Sequence, residues 1–137
     1  MEKEISVRWG WLKFMYIYTI VGAGGFGLGI IFIPQVIRSV FRFPDQDPIV
    51  FGIFGSTYIA FGLISILGLR SPLMFVPVLL LQLGYKVIWF AAVVAPLFFS
   101  GGLPVHSVLL LFIFTTYVVG DLIAIPFSYV FSKQSES

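Results

Sequence analysis

A chain of 137 residues with 59% hydrophobic and 10% charged side chains cannot wet a soluble fold, where about 25% of residues are charged. A mean hydropathy of +1.06 makes lipid the expected solvent. The net charge is only +2, so a pI near 9.0 is no case for nucleic acid. The absence of cysteine excludes disulfides, thiolate metal sites and cysteine nucleophiles.

Residues 1–13 mix Glu2, Lys3, Glu4, Arg8 and Lys13 with Trp9 and Trp11, a composition suited to the headgroup level. The apolar run that follows is too long for a signal-peptide core and lacks a small-x-small cleavage site, so a retained anchor is expected. The first span is predicted from about Phe14 to Ile33, close to the roughly 20 residues a crossing helix needs. After Pro34, Arg38 and Arg42 alternate with Val36, Ile37, Val40 and Phe41, which predicts a short interfacial helix. Asp47-Pro48 supplies an N-cap and a first-turn proline for the second span, Ile49 to Leu69. Ser71-Pro72 repeats the device for a third span reaching about Phe99, with a kink expected near Pro77 and a helix end near Pro96. Beyond the turn at Ser100-Gly101-Gly102, Pro104 opens a fourth span reaching about Phe131. The expected architecture is a single all-α domain over 1–137, a transmembrane four-helix bundle with short loops and one interfacial segment.

Orientation follows from Lys and Arg. Lys3, Arg8, Lys13, Arg70 and Lys133 fall on the side of the termini, Arg38 and Arg42 on the other. This bias predicts both termini in the cytoplasm, in a bacterial inner membrane.

Gly22-Ala23-Gly24-Gly25-Phe26-Gly27 contains a literal G-x-G-x-x-G. That pattern marks a dinucleotide site only between a strand and a helix, and here it lies within a span. The expected role is packing: Gly22, Ala23, Gly25, Gly27 and Gly29 form small-xxx-small faces, and Gly52, Gly55, Ser56 and Ala60 offer a similar strip on the second span. The strips suit close contact of the first two spans with each other, with other transmembrane subunits, or with a second copy.

Lys86 is the one cation within the third apolar run, and Asp121 the one carboxylate within the fourth. Such residues are costly in lipid, face a bundle interior and find partners. Helical side chains lean toward their own N-terminus, so with a span ending at Phe131 the tips of Lys86 and Asp121 converge, and a buried ion pair is expected. Gln82, Tyr85 and Trp89 share the helical face of Lys86, and Tyr117 that of Asp121. The pair reads as a lock on the packing of the third and fourth spans, as a polar ligand or transport site, or as a contact with a partner subunit. His106 alone supplies neither a haem site nor a zinc site. No catalytic residue and no metal ligand set is read, and the protein is not expected to be an enzyme. The 16 phenylalanines, 6 tyrosines and 3 tryptophans fill lipid-facing surface or shape it for a flat lipophile such as a lipid, quinone, sterol or pigment.

Four spans in about 140 residues with short loops and a glycine-rich first helix resemble the small bacterial DoxX-like membrane proteins. That resemblance implies a four-helix membrane fold and, for some members, partnership with larger redox assemblies. Small multidrug exporters carry a Glu in the first helix, which this span lacks, and the pattern around the Gly-Gly stretch of fluoride channels is absent. The residues themselves leave two functions open. One is an accessory or packing subunit of a membrane complex; the other is a small transporter or lipophile-binding protein using Lys86 and Asp121.

Overall fold

The computed structural model describes residues 6–133 and is all-helical over them; Glu2, Lys3 and Glu4 lie outside the described residues. Helix α1 runs Trp9–Phe32, α2 Pro34–Phe41, α3 Pro48–Arg70, α4 Val76–Ser100, α5 Val105–Ala124 and α6 Phe127–Val130. Helices α1, α3, α4 and α5 are 24, 23, 25 and 20 residues long, and each is apolar enough to cross a bilayer. The chain is an integral membrane protein built as a four-helix bundle.

Local chemistry sets the boundaries. The Asp47 carboxylate accepts from the Ile49 N–H at 3.3 Å, and Pro48 occupies the first turn of α3, as its Asp-Pro start predicts. The third span departs from expectation. Residues 71–75 form turns, so Ser71 does not cap it, and Pro77 stands in the first turn of α4. A first-turn proline removes an N–H that had no helical partner, so no kink arises there. Pro77→Ala is accordingly expected to change stability by less than about 0.5 kcal/mol; a loss of several degrees in thermal unfolding would show that the proline sets the helix direction.

The helix also continues past Pro96 to Ser100, and a π-helical turn at Phe90–Val94 makes that possible. Proline crowds the carbonyl four residues back, and a widened turn relieves the crowding. A second π turn, Ile20–Gly24, divides α1 at its glycines. The fourth span ends at Ala124 rather than Phe131, because Pro126 cannot extend the ladder; Phe127–Val130 is a separate turn of helix.

Helix α1 packs along α3 over its whole length, but against α5 only through its first half; α4 packs on α5, and α3 barely meets α4. The glycines explain the closest approach. A Cβ on Gly27 would lie 2.5 Å from the Gly55 carbonyl oxygen, and one on Gly62 would lie 2.8 Å from the Gly24 Cα. Backbone meets backbone there. Gly29 abuts Ile37 of α2, and Phe41 packs on Phe26 with centroids 4.8 Å apart. Arg38 pairs with Asp45 to close the following turn. Other members of the expected strips lie elsewhere. Gly25 and Gly52 have open space where a Cβ would stand, and Ser56 and Ala60 are exposed. The contacting face of α3 is Gly55, Ile59 and Gly62, turned away from the Gly52-Ser56-Ala60 face.

Two buried clusters fill the interior. One, at the end holding the termini, contains Leu12, Met15, Tyr16, Val76, Leu79 and Tyr117. The other contains Ala23, Tyr58, Phe61 and Phe114.

Candidate functional site

Lys86 stands where the two clusters meet. Its residue is 1% exposed, and its ammonium lies 4.3 Å from the Tyr117 ring centroid, 4.4 Å from Tyr85 and 5.1 Å from Phe114. Ring faces stabilise a desolvated cation by about 2 kcal/mol. The Nζ also donates to Gln82 Oε1 at 3.3 Å and to the Tyr85 hydroxyl at 3.0 Å. Gln82, 1% exposed, donates through Nε2 to Thr19 Oγ1 at 2.9 Å, and Thr19 donates to the Met15 carbonyl. The Tyr85 hydroxyl donates in turn to the Tyr58 hydroxyl at 3.0 Å. One hydrogen-bonded chain thus crosses from α1 through α4 to α3.

Asp121 does not join it. Its side chain is 0% exposed, and neither carboxylate oxygen has a hydrogen-bond partner. The expected Lys86–Asp121 ion pair is absent; the ion pair found among the described residues is Arg38–Asp45. The early end of α5 accounts for this. With the span closing at Ala124, Asp121 stands about one turn from its helix end, whereas Lys86 is ten residues into α4. At 1.5 Å per residue the Cα heights differ by roughly 10 Å, more than the lean of the two side chains closes.

Tyr117 ties this layer to α1. Its hydroxyl donates to the Tyr18 carbonyl at 3.1 Å. The hydroxyl thus reaches a carbonyl of α1 beside the π turn at Ile20–Gly24. A Cβ on Gly22 would fall on that hydroxyl, so a side chain there would have to displace it. Trp89 is half-buried against Phe114, with centroids 5.0 Å apart; it faces the second cluster and makes no polar contact with Lys86.

Beside this layer a pocket of about 270 Å³ opens between α1 and α5, lined by Val21, Gly22, Phe26, Tyr58, Ile113, Phe114 and Tyr117 among others. It exists because α1 and α5 part above their shared first half. A second groove of about 430 Å³ lies between α3 and α4, and Tyr58 and Tyr85 belong to its wall. His106 lies near the far end, its ring 6.1 Å from Phe43.

Of the six residues expected at the polar site, the structure gathers Gln82, Tyr85, Lys86 and Tyr117 and leaves Trp89 and Asp121 outside the network. Thr19 and Tyr58 join the network unannounced by the sequence pattern around Lys86. Tyr58 carried a usable signal, because Phe51, Gly55, Tyr58, Gly62 and Ser65 recur at three- and four-residue steps and form the buried face of α3.

No family model, curated protein or solved structure matches this chain.

Proposed function

We propose that the protein binds a lipophilic molecule within the membrane, as a small carrier or transporter, at the junction of the α1–α5 pocket and the Lys86 network. One observation carries this reading: Tyr58, Phe114 and Tyr117 line the pocket and also contact Lys86 or end its hydrogen-bond chain. Polar groups at membrane depth mark ligand and ion paths, and a concave apolar pocket with a few convergent polar groups is the usual form of a small-molecule site. Asp121, sealed in without a hydrogen-bond partner, is a second buried polar group that packing alone does not explain, and it lies outside the pocket lining. The reading includes cytoplasmic termini in a bacterial inner membrane, and kinship with DoxX-like proteins fits it.

A test is lipid analysis of the protein purified gently from its own membrane, compared with Ile113→Trp, which fills the pocket. The wild type is expected to carry a lipophile that the variant loses while inserting normally. A variant that retains the same molecule would sink the reading.

A second reading, an accessory subunit of a larger membrane complex, is favoured by Gly25 and Gly52. Both present small faces that no described residue covers. Native mass spectrometry separates the two: a stoichiometric protein partner favours the subunit, and a lone chain with a bound small molecule favours the carrier.

A further inference from the structure

We propose that the pocket takes a flat, uncharged lipophile bearing a carbonyl oxygen, which accepts a hydrogen bond from Tyr58. This rests on the lipophile-binding reading and narrows it to a chemical class. An ammonium group only donates, so the Lys86–Tyr85 contact at 3.0 Å makes the Tyr85 oxygen an acceptor. The single Tyr85 proton then goes to the Tyr58 oxygen at 3.0 Å. The chain has one direction, and it ends on the Tyr58 proton, which has no acceptor among the described residues.

That end is in the pocket wall. Tyr58 is 5% exposed, and the hydrocarbon around the bundle offers no acceptor. A buried donor left unpaired costs about 1–3 kcal/mol, and a chain headed by a cation polarises its last O–H into a better donor. The other hydroxyls of the pocket are committed. Tyr117 donates to the Tyr18 carbonyl, and Tyr18 shares a 2.5 Å hydrogen bond with Thr116. The lining contains no charged side chain, which disfavours an ionised ligand. Phe26, Phe41, Phe114 and the tyrosine rings supply faces and edges for a planar body.

Fluorenone, fluorene and fluorenol share one planar skeleton and differ at one carbon, so they isolate the polar contact. Binding of each to the full chain in nanodiscs is the test. Fluorenone is expected to bind about tenfold more tightly than fluorene, the factor that one hydrogen bond of about 1.4 kcal/mol supplies. Tyr58→Phe should bring the two to parity by weakening fluorenone alone, and Tyr85→Phe, which unhooks Tyr58 from the cation, should narrow the gap without closing it. Equal affinities in the wild type, a gap that survives Tyr58→Phe, or fluorenol binding more tightly than fluorenone would each overturn the carbonyl assignment. Fluorene binding that Ile113→Trp abolishes, with no preference for fluorenone, sinks the carbonyl class and leaves lipophile binding standing. Failure of all three probes, with no lipophile in the purified protein, sinks both.

Discussion

Replacing Lys86 by methionine is expected to cost the bundle about 1–3 kcal/mol, the scale of leaving buried polar partners unsatisfied. The loss has two sources. Gln82 and Tyr85 lose their donor, and Asp121, whose oxygens have no hydrogen-bond partner, loses the cation buried on the neighbouring α4. Asp121→Leu should cost far less, because Lys86 keeps its two acceptors and three ring faces. The double change Lys86→Met with Asp121→Leu should therefore be more stable than Lys86→Met alone. Equilibrium unfolding in mixed micelles reads all three. If Asp121→Leu proves as damaging as Lys86→Met, or the double change is worse than both, the asymmetry described above is wrong.

Gly27→Ala is the second large effect. Its new methyl would meet the Gly55 carbonyl oxygen at 2.5 Å and the Ile59 nitrogen at 2.7 Å. Both are backbone atoms in a straight run of α3 and cannot swing aside, so the helices must separate. Overpacking of this kind costs about 1–3 kcal/mol. Gly25→Ala, two residues earlier, meets nothing within 4 Å and should leave the isolated chain unchanged. Equal losses from the two substitutions would mean that the α1–α3 contact is not the one described.

The four apolar runs were legible because a bilayer crossing demands length and apolarity, which are properties of single segments. Lys86 and Asp121 were legible for the same reason, as charges inside such runs. Their separation was not, since it depends on where α5 ends, and an apolar stretch continuing through Pro126 to Phe131 hides that end. On α3, Gly52-Ser56-Ala60 and Gly55-Ile59-Gly62 both run at helical spacing, and periodicity does not say which one meets a neighbour. The π turn at Ile20–Gly24 adds a further turn of uncertainty. It shifts the register between the part of α1 holding Tyr16 and Thr19 and the part holding Gly27, so no single helical wheel describes both.

The parting of α1 from α5 places the mouth of the pocket at Val21, which is 70% exposed, on the flank of the bundle. A molecule reaching it arrives by diffusing within the plane of the bilayer. Its effective concentration is then its mole fraction among the lipids, and occupancy follows the partition coefficient as much as the contacts in the pocket. Diluting the membrane with inert lipid would empty the site at constant total ligand, while diluting the surrounding water would hardly change it.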